Sequence, residues 1–562
     1  MKVTKLLILA CMMIGMYSSL YAQPIDSTTL NSASITSNTT LNASTRYLMK
    51  GNNNVKNGAT LIIQPGTIIL GDFESKGVLI VERGGKIFAN GSDNQPIVFT
   101  SEKPAGNRNP GDWGGIIILG RSGINTSSGA DSAEIEGFGA GLGPIYGGQP
   151  RIDDDSSGVL RYVRIEFSGV NLTGVSGNEI NGLTMGGVGS KTVIEYIMVS
   201  YNGDDSFEWF GGNVNCKYLI SYKPVDDDWD TDNGFRGKIQ YGLSVRDSGI
   251  YDVSTSNGFE SDNNTNSPSS GTYNSPRTKP IFSNMTVVGP FSNTGLTLNS
   301  LWGRGGHLRR ASQISIYNSI IMGWRVGIRL DGPSIRGASG DTLQIRNTIL
   351  GGNVKLGDTA SVPSGFESFS TQAWLGTGSY NNTIFGTASS VQLTDPFAVY
   401  PDAGDGTVDK WMPVGGSPAL SGADFSNPNL AGFDNVTFRG AFGTTNWTSG
   451  WAIFNPRGYT IGIQQISSNV PNDFTLSQNY PNPFNPVTNI KFELPQSGFV
   501  TLKVFNMLGE EVSTLVNQDM TVGTYKYDFD ASSLATGAYF YKMTVTNSNG
   551  SFTDVKKMML IK

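Results

Sequence analysis

Cysteine and histidine are almost missing from this chain of 562 residues, which has two cysteines, Cys11 and Cys216, and a single histidine, His307. One histidine rules out multi-histidine metal sites and any mechanism that needs two imidazoles. It leaves room for a Ser-His-Asp triad, but no Gly-x-Ser-x-Gly elbow accompanies it. Strong charge of either sign is also missing: 40 basic residues stand against 46 acidic ones, too even a balance to draw in nucleic acid or an anionic membrane. Charged helix formers are scarce as well, with Asp, Glu, Lys and Arg making up 15% of the residues, and almost no helix is expected.

No apolar run is long enough to span a bilayer. The longest candidate, Leu6 to Tyr17, holds about twelve residues where about twenty are needed. With Lys2 and Lys5 ahead of it and small polar residues after it, segment 1–22 reads as a secretory signal peptide cut near Ala22. Cys11 follows "ILA", but the apolar run continues past it, unlike a lipoprotein cysteine. Removal of the signal leaves Cys216 as the only thiol, so no internal disulfide forms even in an oxidising compartment. With only Lys217 beside it, Cys216 is expected to be a small buried side chain.

Glycine is plentiful, with 72 copies, and between the glycines stand Val, Ile, Thr and aromatic residues. Such a composition describes many short strands joined by tight turns. "TLIIQPGTIILG" at Thr60 is followed by "GVLIVERGGKIFANG", "PIVFTS" and "GDWGGIIILG", too closely spaced for intervening helices. A signature of Asn, an apolar strand and Gly recurs at Asn284, Asn318, Asn347 and Asn382, and a second series begins at Val199, Ile220 and Leu243. Unequal repeats of this size describe a coil whose turns stack and whose insertions bulge from one corner. The expected fold is all-β, a right-handed parallel β-helix over 59–425 behind a lead-in and cap at 23–58. Variable repeat lengths argue against a propeller.

At about 4.8 Å per turn, roughly a dozen to fifteen turns would make a rod on the order of 60–70 Å long. Asparagines at one corner are expected to stack their amides into a ladder, with φ > 0 at a neighbouring position. The aromatic-rich segment 426–457, with Trp447, Trp451 and Phe454, is expected to cap the last turn rather than stack on sugars.

After a linker at 458–471 the pattern changes to clean alternation, as in Ile490, Phe492 and Leu494. Period-two strands with one buried face predict a small antiparallel, immunoglobulin-like β-sandwich over 472–562. "LSQNYPNPFNPVTNIKFELP", "VFNMLGEEV", "DFDASSLATGAYFYKM" and the terminal "KKMMLIK" resemble the type A sorting domain of the type IX secretion system. The resemblance implies passage through an outer-membrane translocon and removal by a sortase-like peptidase, with release or attachment to lipopolysaccharide. "PIVFTS", "GDWGGIIILG", "LRYVRIEFSG", "DDSFEWFGG", "DDDWDTDNGFRGKIQYG" and "SNGFESDN" resemble a group of secreted bacterial β-helix proteins from about Ala59 to Pro456. That second likeness implies a fold and no activity.

Chemistry is best sought where carboxylates recur at the spacing of one turn: Asp204, Asp205 and Glu208; Asp226, Asp227, Asp228, Asp230 and Asp232; Glu260 and Asp262. Stacked carboxylates repel unless protonated, paired or bridged by a hard cation, and Asp204, Asp205, Asp228, Asp230 and Asp232 are the expected calcium ligands. An EF-hand is excluded, because Gly234 is one place late and no Glu stands at the bidentate position. The competing expectation is solvated carboxylates paired with Arg236 and Arg246. Arg304, Arg309 and Arg310 around His307 read as a corner salt-bridge network.

A secreted surface protein that binds glycan or matrix is the leading functional expectation. The alternative is a calcium-dependent polysaccharide lyase with Arg236 or Lys238 as base, or a glycoside hydrolase using two of the carboxylates.

Overall fold

The computed structural model describes residues 26–175, 178–264, 273–398, 409–457, 463–467, 470–485, 487–531, 534–547 and 550–561. The signal peptide, 1–22, lies outside the described residues. Three short strands make each turn of the first part of the chain: Thr60–Ile63, Ile68–Gly71 and Val78–Val81 are succeeded by Lys86–Asn90, Ile97–Ser101 and Gly115–Leu119. Each strand pairs in parallel with its counterpart one turn on, which defines three faces, A, B and C. Faces A and B join into one 17-stranded sheet, and face C is a separate 11-stranded sheet.

Later turns fuse the A and B strands into one bent strand. Gly158–Glu166 pairs with Ile87–Asn90 on face A and with Ile97–Phe99 on face B. The bend lies at Tyr162, whose φ is 50°, and every later turn repeats it: Tyr196 at 56°, Tyr218 at 59°, Tyr241 at 64°, Asn284 at 56°, Asn318 at 50° and Asn347 at 54°. A left-handed L-residue costs about 1–2 kcal/mol, least for Asn. The tyrosines offset that cost by stacking face to face, with ring centroids 4.3, 4.3 and 4.8 Å apart along Tyr162, Tyr196, Tyr218 and Tyr241.

The expected amide ladder is therefore not what the asparagines build. Asn284, Asn318 and Asn347 take the φ > 0 conformation themselves, and two of them reach away from the coil: Asn318 exchanges two hydrogen bonds with the backbone of Asp424 (2.9 and 3.2 Å), and Asn284 donates to Phe438 O at 2.9 Å.

Inside the coil, aromatic side chains stack from one turn to the next. Phe207 lies on Trp229 at 5.2 Å and Trp209 on Phe235 at 5.3 Å, all fully buried. Burial of each such side chain contributes about 1.5–3 kcal/mol, which explains how the coil holds together without a disulfide. Cys216 is buried in this core, and burial pushes its thiol well above the usual range.

The coil starts earlier and ends sooner than expected. Asp26–Asn31 already pairs with Thr45–Lys50, so 26–58 carries turns of the coil. Among the described residues the last strand of the coil is Thr383–Phe385 on face B. Eleven strands on face C span about 48 Å at the spacing of paired strands, shorter than 60–70 Å.

Beyond the last strand, the chain forms a strap that runs back along the A/B bend. Leu393 bridges Pro413, Arg439 reaches Thr383 Oγ1 at 2.7 Å, and Gly440 (φ 84°) donates to Asn318 O at 2.8 Å. A side chain at Gly440 would collide with Ile320 and Thr286. Trp447 packs edge-on against Tyr218, and Trp451 against Tyr162 and Tyr196. Phe454 packs on Tyr222, and the strap ends where Gly106 donates to Arg457 O at 2.8 Å. These aromatics line the flank of the coil and do not cover its last turn, because the flat tyrosine stack offers them a longer apolar surface.

The C-terminal part is two four-stranded antiparallel sheets. Ile490, Phe492 and Leu494 are fully buried between them, as are Leu502 and Val504. Ile463–Ser467, expected as linker, is itself a strand that pairs with Gly523–Asp530. Asn479, at the head of the proline stretch, is buried, and its N–H donates to the Tyr541 hydroxyl at 2.7 Å.

Candidate functional site

Face C carries one outward column through the middle of the coil. Pairing sets Thr184 beside Glu208, then Asp230, Glu260, His307, Arg329 and Asp358 on successive turns. Strand periodicity puts these side chains on the outer surface while Phe207, Trp229 and Phe259 face the core. At the corner before these strands, the spacing of 22 residues sets Asp204 by Asp226 and Asp205 by Asp227. Asp227 N–H donates to Asp205 Oδ1 at 2.7 Å, and Asn257 N–H donates to Asp227 Oδ1 at 2.5 Å.

Two triads result. Ligand oxygens of Asp204, Asp205 and Asp226 lie within 4.8 Å of one another, and so do those of Asp205, Glu208 and Asp230. Asp205 thus lies with Asp204 and Asp226 in one triad and with Glu208 and Asp230 in the other, and Asp204 and Asp230 share none.

Asp228 does not join them. It turns into the coil, fully buried, where Arg246 pairs with it at 3.0 Å and Ser221 donates to it. Asp232 is also outside both triads and accepts from Asn233 N–H. Arg236 belongs elsewhere, paired with Asp153 at 3.1 Å, while Lys238 donates to Ala431 O in the strap and lies over the Phe433 ring. Neither cation approaches the triads closely enough to pair with them, because both stand at the opening of face A.

The carboxylates are crowded enough to shift their own acidity. Burial and then the neighbouring charge of Asp226 hold Asp204 well above the usual range; burial with Asp204 does the same to Asp205, and burial with Asp205 to Asp230. Burial and Glu260 bring Asp227 to about 7, burial and Asp262 bring Asp232 to about 7, and burial brings Asp262 to about 6. Without a cation, this corner holds protons that free carboxylates would have lost.

Glu136 is a participant that sequence spacing cannot reveal. It arrives on an insertion that carries the hairpin Ser132–Glu134 and Ile145–Gly147, far from Glu208 in sequence. Asn181 donates to both Glu136 and Glu208 and holds the two together. Burial brings Glu136 to about 7.

Further along the column the sign of charge turns. His307 sits between Glu260 (3.6 Å) and Asp331 (3.3 Å), and although burial opposes it, these two carboxylates raise its pKa. Arg309 pairs with Glu260 and Asp262, and Arg310 with Asp262 at 2.6 Å, the corner network expected of them. Arg304 makes no ion pair among the described residues.

Comparison with known proteins accounts for both parts of the chain. Residues 33–389 match the pectate-lyase-like β-helix domain, and residues 478–561 match the secretion system C-terminal sorting domain. No curated protein matches the chain. Among solved structures, it is similar to tailspike protein 2 of the Escherichia coli O157:H7 bacteriophage CAB120, at 10% identity and a TM-score of 0.27, with 91% of this chain and 64% of that one covered. The enzymatically active domain of bacteriophage CBA120 tailspike protein 4 is similar at 9% identity and a TM-score of 0.17, with 92% and 64% covered. The chain thus spans 64% of each tailspike chain, less than two thirds of its length. Its sorting domain sends it through the type IX system to the cell surface or the extracellular space. Over the greater part of its length, the chain belongs to the family of pectate-lyase-like β-helix domains.

Proposed function

We propose that this protein is a glycan-binding rod, displayed by the type IX system, whose face C corner holds a divalent cation and uses it to engage an acidic polysaccharide. The observation that carries the reading is the pair of carboxylate triads meeting at Asp205. A cluster of hard carboxylate oxygens suits calcium better than zinc or copper, and a carboxylate-rich glycan is the partner such a cation would bridge. The secretion translocon and a sortase-like peptidase are the expected transient partners, and a lipopolysaccharide anchor the expected means of display.

Retention on an immobilised polyuronate is expected in calcium, with elution by chelator and no retention on a neutral glucan. Equal retention with and without chelator would overturn the cation's role.

One observation favours a second reading, a glycoside hydrolase. Glu136 and Glu208 are held together by Asn181, and burial with the charge of Glu136 keeps Glu208 well above the usual range, as a proton donor needs. New reducing ends from a polysaccharide panel, lost in Glu208→Gln, would favour the hydrolase. Arg236 pairs with Asp153 and Lys238 donates to Ala431 O, away from the carboxylates, which counts against a lyase with either as base.

A further inference from the structure

The geometry points to two cation positions at this corner, sharing Asp205 as a bridging ligand, and we propose that the corner is a dinuclear site. This rests on the cation reading of the corner and sharpens it. Oxygens bound to one calcium ion at about 2.3–2.6 Å lie within about 5 Å of each other. Each triad satisfies that limit with its 4.8 Å span, but no single group takes in all five carboxylates. Asp204 and Asp226 belong to one position, Glu208 and Asp230 to the other, and Asp205 alone belongs to both. A carboxylate has about four lone-pair directions. Asp205 gives one to Asp227 N–H, which leaves enough for two ions.

A separate observation points to a ligand at the inner position. Thr184, 1% exposed, stands next to Glu208 in the same outward column, and its Oγ1 has no hydrogen-bond partner among the described residues. Asn181 is fully buried; its Nδ2 donates to Glu208 and Glu136, yet its Oδ1 is also without a partner among the described residues. Leaving such atoms buried and unsatisfied costs about 1–3 kcal/mol each. Once a cation has displaced their protons the neighbouring carboxylates donate nothing, and the cation itself is then the partner that Asn181 Oδ1, which can only accept, would take. One oxygen of Asp230 and one of Asp226 are buried and unpartnered in the same way, one for each position.

The two positions differ in access. The inner one is lined by Glu208 and Asp205, both buried, and by the partly exposed Asp230, with buried Asn181 bonded to Glu208. The outer one is lined by Asp204 and Asp226, both partly exposed, with Ser254 donating to Asp226 at 2.7 Å. The inner ion is the more enclosed of the two. The outer ion keeps coordination sites for a carboxylate of the glycan.

Calorimetric titration of the chelated full-length chain with calcium is expected to give two ions per molecule. Asp204→Asn should remove the outer ion, Glu208→Gln the inner one, and Asp205→Asn both. Thr184→Val, close to isosteric, should weaken only the inner ion, by about ten- to hundredfold. Manganese loading adds a readout that misfolding does not mimic: a bridged pair gives a spin-coupled spectrum, and separate ions give the simple six-line one. A single ion per chain leaves the cation reading standing and overturns the dinuclear site. Two uncoupled ions overturn the sharing of Asp205, and no binding overturns both.

Discussion

Asp228 stands two residues from Asp230 and does different work. Alternation along the strand sends Asp230 outward, while the corner turns Asp228 into the coil, where Arg246 and the hydroxyl of Ser221 neutralise and hydrogen-bond it. Removal of one partner from a buried pair leaves the other charged and unpaired, at a cost of about 3–5 kcal/mol. Asp228→Ala is thus expected to lower the unfolding temperature by the same amount in calcium and in chelator. Asp230→Ala should instead remove most of the calcium-dependent rise. Differential scanning calorimetry of both variants under the two conditions checks this.

The crowded carboxyls also set a pH dependence. Asp227, Asp232 and Glu136 have native values of about 7, above their ordinary ones, so between about pH 4 and 7 the native state binds more protons than the unfolded one. Stability of the chelated protein should fall as pH rises through that window. His307, with its pKa raised, contributes stability that is present below its ordinary value and lost as pH rises past its native one, in the same direction. Saturating calcium should flatten the fall, as read from unfolding temperatures between pH 4 and 8. The partnership of residues 22 apart was legible from the repeat, since each turn returns the chain to the same corner. Glu136, Asn181 and Thr184 were not, because an insertion, a loop and an unremarkable strand position carry them.

At the scale of elements, the strap and the bend depend on each other. Tyrosines and asparagines in left-handed conformations present a straight ladder of rings and backbone groups, and the strap satisfies both: Trp451 lies across two tyrosines while its carbonyl accepts from the buried Arg164 at 3.1 Å. Trp451→Ala should destabilise the protein by about 3–5 kcal/mol. It should also open the strap to protease before the coil itself unfolds, which timed digestion with mass spectrometry would detect. Glycine content and strand spacing were enough to read the coil. They could not separate a cap from a strap, because an aromatic segment buries equally well against the end of a coil or its side, and only the position of the tyrosine stack decides between them.

For the whole molecule, address and cargo divide near the proline stretch, as the change from irregular repeats to period-two alternation indicates. The sandwich begins a few residues earlier than the alternation shows, since Ile463–Ser467 pairs only with a distant strand and carries no local signal of its own. Residues 463–562 fused behind a signal peptide and a neutral passenger should carry the passenger across the outer membrane of a type IX host. The unfused passenger should stay in the periplasm, as immunoblots of culture medium and periplasm would report.

The strap brings the chain at Arg457 back to Gly106, among the early turns, so the coil is entered and left toward the same end. A rod tethered through that exit and loaded by a ligand on its face feels tension first at Pro456 and Arg457. The strap's bonds then break one after another, as in peeling tape, and the stacked turns are spared from shear until the last aromatic has let go.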